Sequence, residues 1–227
     1  RWFQEPFRKR SGVQISLRPQ ILVLKVMKYI FIFILLLFAK MQTVKAQGCL
    51  TADVMILIDW SGSESDNELK LATAAYSFVS ELPVSDYQMR VGVMTFSYKI
   101  LNVIDLTGNK EELLNGITAL SLTHAGGGTW INDAMTNSLN ILDNKRKVLK
   151  IVIVISDGEI WDLKDAEQTI EAFRQKTPIN IFAVYIGDSI DGVGMQNLKE
   201  LTGDEKHVEI ALPSSLVEAL KKLNLCN

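Results

Sequence analysis

Apolar residues follow two rhythms from about residue 50 onward. Five runs are apolar at nearly every position: VMILI (54–58), MRVGVMTFS (89–97), KVLKIVIVIS (147–156), INIFAVYIG (179–187) and a weaker HVEIAL (207–212). A strand apolar on both faces belongs inside a parallel sheet. Between the runs the spacing becomes helical: Leu69, Ala72, Tyr76 and Val79 mark one stripe, and Leu113, Ile117 and Leu120 a second. Residues 132–142, 163–173 and 215–223 supply further helices. One short run, ILNVIDL (100–106), follows the second apolar run too closely for a parallel crossover, so it is expected as an antiparallel edge strand. The alternation predicts an α/β fold, a doubly wound, mostly parallel six-stranded sheet with helices on both faces.

The N-terminal part reads differently. MKYIFIFILLLFAKMQTVKA (27–46) has an early lysine, an uncharged apolar run from Tyr29 to Ala39, and then Val44 and Ala46 spaced for signal peptidase. It is expected to be a secretory signal peptide. The uncharged run is shorter than the roughly 20 residues that a membrane helix needs, which argues against a stable span in the mature form. Residues 1–26 are an unassigned N-terminal extension, and residues 47–227 are expected to form one domain.

Removing the first 46 residues changes the charge. The 24 basic and 26 acidic residues of the whole chain become 15 and 25, a net charge of −10. So acidic a surface lacks the electrostatic footprint for nucleic acid or anionic membranes. Cys49 and Cys226 are the only cysteines, at the two ends of the domain. Export makes oxidation available, so a Cys49–Cys226 disulfide is expected, with lipidation of Cys49 as the rival.

Candidate chemistry collects at strand ends. Asp59 directly follows the first apolar run, with Ser61 and Ser63 two and four positions on; Asp157 ends the third run just as directly. In a doubly wound sheet, ligands sit beyond the carboxyl ends of the strands where strand order reverses. With the order 3-2-1-4-5-6, the first and fourth strands are neighbours there and both carboxylates face one crevice. A third segment, LTHAGGGTW (122–130), carries three glycines before Thr129. The bland alternative is that Ser61 and Ser63 cap a helix and Asp157 makes a turn.

DWSGS at 59–63, Thr129 after the glycine-rich segment, and SDG at 156–158 together resemble the metal-ion-dependent adhesion site (MIDAS) of von Willebrand factor type A (vWA) domains. The resemblance covers Asp53 to about Leu223 and implies the strand order just used. It also implies that Ser61, Ser63 and Thr129 offer hydroxyl oxygens to a metal that Asp59 and Asp157 bind directly or through water. Oxygen donors without histidine or sulfur suit a hard ion, Mg²⁺ first, with Mn²⁺ or Ca²⁺ as competitors. Two carboxylates just balance such an ion, and a position left open would attract a partner's carboxylate.

The expected function is therefore a secreted or extracellular adhesion module, not an enzyme. It would bind a protein or extracellular-matrix ligand through an exposed Asp or Glu. The alternative is a cation-stabilised structural subunit of a surface assembly. Trp60, Trp130 and Trp161 each lie within four residues of a proposed ligand, and are expected to form an aromatic rim that grips the partner.

A hydrolase comes a distant third. Gly187, Asp188 and Ser189 spell GDS, and Asp204 to His207 spells DxxH, but too few residues separate them to hold a hydrolase fold. Phosphoryl transfer to Asp59 would want a second carboxylate where Ser61 stands. His124 is expected to be solvated, and Asp162, Asp165, Glu167 and Glu171 to form a solvated helix face.

Overall fold

The structure, a computed structural model, describes residues 51–124, 126–187, 192–223 and 225. The expected signal peptide at 27–46, the extension at 1–26, the Cys49–Cys226 bridge and Ser189 lie outside the described residues.

The strands are β1 (Ala52–Asp59), β2 (Met89–Phe96), β3 (Ile100–Thr107), β4 (Leu149–Ser156), β5 (Asn180–Ile186) and β6 (Val208–Ala211). The helices are α1 (Glu68–Glu81), α2 (Lys110–Leu120), α3 (Asn132–Leu142), α4 (Leu163–Arg174), α5 (Val193–Thr202) and α6 (Leu216–Lys222). They form one sheet in the order β3-β2-β1-β4-β5-β6. Every pairing is parallel except β2 with β3, the antiparallel edge that the short connection required. Among the described residues no helix is long and apolar enough to cross a membrane.

All eight residues of β1 are buried, because the sheet is covered on both faces. Ala52, Val54, Ile56, Ile58 and Trp60 point into one core with Leu71 and Phe78 of α1, Ile117 of α2 and Leu216 and Leu220 of α6. Met55 and Leu57 point into the other with Met135 and Leu139 of α3, Ile170 of α4 and Leu198 of α5. The stripe expected on α1 is rotated. Leu69 and Tyr76 are exposed, and the buried face runs through Leu71, Ala72, Ala75, Phe78 and Val79.

The amino-terminal end of the sheet is pinned by a buried carboxylate. Asp53 accepts a two-pronged bond from Arg90 on β2 (3.0 and 2.9 Å), with further bonds from Arg146 (2.7 Å), Lys150 on β4 (2.8 Å) and Asn144 (3.0 Å). Burial alone would push its pKa up. The bonds from Arg90, Lys150, Arg146 and Asn144 outweigh burial and hold it well below the usual carboxylate range. The opposite, carboxyl end of the sheet is thereby left to the loops that carry Asp59 and Asp157.

Candidate metal centre

β1 continues in register one residue past its end, because the Trp60 N–H donates to Phe96 O at 2.7 Å. The chain then turns sharply. The Ser61 N–H donates to Asp59 Oδ1 at 2.9 Å, and residues Gly62–Glu64 form a 3₁₀ turn. Ser61 makes no side-chain capping bond to that turn; its Oγ lies 3.1 Å from Ser63 Oγ instead. Neither hydroxyl serves that turn as a cap; Ser61 is buried and Ser63 exposed.

The other carboxylate oxygen of Asp59 ties this loop to β4. Ser156 Oγ donates to Asp59 Oδ2 at 2.6 Å and accepts from the Gly158 N–H at 2.9 Å. Ser156, the residue before Asp157, is thus the group that orients Asp59, a role that its place in SDG did not disclose. Asp157 is half-buried, and its Oδ1 accepts from the Glu159 N–H at 3.1 Å, the turn contact of the bland alternative. Gly158 has φ +73°, and a Cβ there would sit 2.1 Å from Gly194 O at the start of α5, so this turn admits only glycine.

The glycine-rich loop is stapled to the first loop by two backbone bonds, Gly126 N–H to Trp60 O and Gly62 N–H to Gly127 O, both 2.9 Å. Thr129, 3% exposed, follows it and bridges to the loop after β4, where the Trp161 N–H donates to Thr129 O at 3.0 Å. Asp162 completes the frame. Its two carboxylate oxygens accept from the Ile131 and Asn132 N–H groups (2.8 and 2.9 Å), holding the start of α3 against the loop before α4. The expectation of a solvated face fails for Asp162, whose carboxylate serves the N-terminus of a different helix. The sequence could not reveal that a residue 30 positions away supplies the cap.

The three segments therefore meet at one end of the sheet. Among the described residues no three His, Cys, Asp or Glu side chains come together as a metal-holding group. The residues of these segments that could hold a metal are those expected from the sequence, Asp59, Asp157, Ser61, Ser63 and Thr129. Electrostatics record the convergence. Burial, opposed by the bonds from Ser156 and Ser61 and reinforced by the charge of Asp157, pushes the Asp59 carboxyl up to about 6. Glu64, 2% exposed, is pushed up to about 7 by burial, against a bond from Asn67 and with the charges of Asp157 and Asp59.

The aromatic rim needs correction. Trp60 is fully buried, because it extends the alternation of Ile56 and Ile58 into the core, and it cannot touch a partner. Trp130 and Trp161 are 45% and 69% exposed and meet edge to face at 5.9 Å. Tyr98, at the β2–β3 hairpin and 57% exposed, joins them around the glycine-rich loop. A Cβ at Gly127 (φ +86°) would lie 2.5 Å from the Tyr98 ring, and one at Gly128 3.0 Å from the Trp161 indole. The signal for Tyr98 was its place just past the end of the strand beside β1.

Elsewhere, His124 is solvent-exposed, 3.8 Å from Glu68. His207 bonds Ile181 O at 3.1 Å and stacks on Phe182, a packing arrangement.

Comparison with known proteins agrees with this architecture. The family model described as the von Willebrand factor type A domain matches residues 53–223. No curated protein matches the chain. Proximal thread matrix protein 1 of the mussel byssus is similar in structure at 20% identity, with a TM-score of 0.64, over 77% of this chain and 45% of that one. The manganese-loaded TRAP protein of Plasmodium vivax is similar at 21% identity, TM-score 0.62, over 78% and 74%. The N-terminal domains of the type V pili tip protein Mfa5 of Porphyromonas gingivalis are similar at 13% identity, TM-score 0.64, over 74% and 48%. The chain thus spans about half the length of the mussel and pilus-tip chains it matches. From the matched sequence pattern and the strand order, the chain belongs to the von Willebrand factor type A domain family.

Proposed function

We propose that this domain is a secreted adhesion module, not an enzyme, that binds a protein or matrix partner through a divalent cation. Ser61, Ser63 and Thr129 would hold the ion through hydroxyl oxygens, and Asp59 and Asp157 directly or through water. Magnesium fits this donor set first, with manganese and calcium next, because all the donors are hard oxygens. The ion would act as a Lewis acid toward an Asp or Glu carboxylate of the partner.

The observation that carries this reading is the run of contacts from Ser63 through Ser61 and Asp59 to Ser156, with the glycine-rich loop stapled alongside. It ties the loop of Asp59, Ser61 and Ser63 to the end of β4 and to the glycine-rich loop, at the sheet end where this fold class binds its ligands, and so supports the reading. The serine hydroxyls are not consumed by helix capping. Similarity to a manganese-loaded protein, a byssus matrix protein and a pilus-tip protein supports the reading. Trp130, Trp161 and Tyr98 are exposed beside the site and would grip the residues flanking the partner's acid.

Affinity capture from extracellular extracts, run with Mg²⁺ and with EDTA, tests the proposal. The module should hold its partner only with Mg²⁺, and Asp59→Ala should abolish capture. Equal capture in EDTA would replace this reading with that of a cation-stabilised structural subunit.

A further inference from the structure

We propose that Asn197 is a positioning residue for Asp157, latching its turn to α5 firmly enough that the cation site selects magnesium over the larger calcium. This rests on the adhesion-site reading above. Asn197 stands in the second turn of α5, and its Nδ2 donates to Gly158 O at 2.8 Å, one residue past Asp157. The two backbones also touch there. A Cβ at Gly194 would lie 2.0 Å from Asp157 O, and one at Gly158 2.1 Å from Gly194 O. α5 is itself anchored, because Met195, Leu198 and Leu201 are buried in the core that holds Met55 and Leu57.

Further bonds shape the turn. The Glu159 N–H donates to Asp157 Oδ1 at 3.1 Å, and the Ile160 N–H shares Gly158 O with Asn197, at 2.8 Å. Both lie within the turn and would move with it. The Gly158 N–H holds the other side of the same residue to Ser156 Oγ on β4, at 2.9 Å. Asn197 supplies the matching hold from a different element, so Gly158 is gripped by its N–H on β4 and by its carbonyl on α5. Asp157 is fixed between them. Magnesium demands near-octahedral oxygens at about 2.0–2.1 Å, whereas calcium takes oxygens at about 2.3–2.6 Å in flexible geometry. A turn that cannot yield therefore favours the smaller ion, and a loosened one opens to fit calcium.

Calorimetric titration of the full chain with Mg²⁺ and, separately, Ca²⁺ tests this in wild type, Asn197→Ala and Asp59→Ala, together with amide hydrogen exchange in EDTA. Loss of a group that orients a metal ligand typically weakens affinity by about 10- to 100-fold. Asn197→Ala should bind Mg²⁺ at least about tenfold more weakly and Ca²⁺ within about threefold of wild type, so that the preference for Mg²⁺ shrinks. Equal losses for both ions would mark a merely structural role and overturn the proposal, as would a wild-type Kd for Mg²⁺. In EDTA the Glu159 amide of the variant should exchange at least about tenfold faster than in wild type, while the amides of β1 and β4 keep their rates. An unchanged Glu159 rate would overturn the latch itself. Should the alanine variant fold poorly, Asn197→Leu, which keeps the volume without the donor, replaces it under the same criteria. If wild type binds Mg²⁺, Asp59→Ala does not and Asn197→Ala keeps the wild-type ion preference, only this inference falls. If wild type takes up neither ion, the cation reading falls and this inference with it.

Discussion

In chelator, the domain should lose stability as pH rises from about 4.5 to 7.5, the reverse of the usual behaviour of carboxylates in proteins. The perturbation is deprotonation of Asp59 and Glu64. Their folded-state pKa values, about 6 and about 7, exceed the ordinary values of 3.8 and 4.5, chiefly because both are buried. Between pH 4 and 7 the folded state thus holds more protons than the unfolded chain, and stability must fall with rising pH. The contribution is fully present below the unfolded values and is lost as pH passes through 6 and 7. At about 1.36 kcal/mol per pH unit, each group accounts for about 3 kcal/mol. A loss of about 5 kcal/mol in all would lower the thermal midpoint by on the order of 10 °C for a domain of this size. Asp53 works in the opposite sense at lower pH: its depressed pKa makes its stabilisation present above about 4 and lost on further acidification. Stability in EDTA should therefore peak near pH 4 to 5. Millimolar Mg²⁺ should flatten the descending limb, because the ion favours the ionised carboxylates and binds only the folded state. Thermal melts followed by circular dichroism across this pH range, with EDTA and with Mg²⁺, make the comparison. A midpoint in EDTA that is flat or rises from pH 5 to 7.5 would refute the account of the buried acids.

Three further predictions concern particular residues. Asp53→Ala should cost about 3 to 5 kcal/mol in denaturant melts by stranding Arg90, Arg146 and Lys150, as expected when a buried ion pair loses one partner. Cation affinity should not change, because six residues of strand put Asp53 about 20 Å from Asp59. Trp60→Ala should destabilise the fold by about 3 to 5 kcal/mol as a large buried side chain is lost. Trp130→Ala and Trp161→Ala should instead leave melting within about 1 kcal/mol, as is usual for surface positions, and weaken partner capture. Ser156→Ala removes a bond of 2.6 Å to a buried carboxylate, and should cost about 1.5 to 3 kcal/mol, with weaker Mn²⁺ uptake by calorimetry.

The fold was legible because its central strands are apolar on both faces and its edge strand follows too closely for a crossover. The positions of Asp59 and Asp157 followed from that sheet. What the sequence concealed was the direction of side chains beyond the strand ends. Trp60 reads as a loop residue beside a ligand, yet the backbone bond to Phe96 keeps it in the strand and turns its ring inward. Leu69 and Tyr76 fit a helical period but lie on its solvent flank, because the buried arc of α1 is centred on Ala75. Ser156 and Asp162 act through partners that come close only in three dimensions, so no local pattern marks them.

Calorimetric titration of the wild-type chain with Mg²⁺, beside Asp59→Ala, tests the central claim most directly. One ion per chain in the wild type and none in the variant is the expected result. No heat of binding with magnesium, manganese or calcium, in a protein shown to be folded, would contradict it.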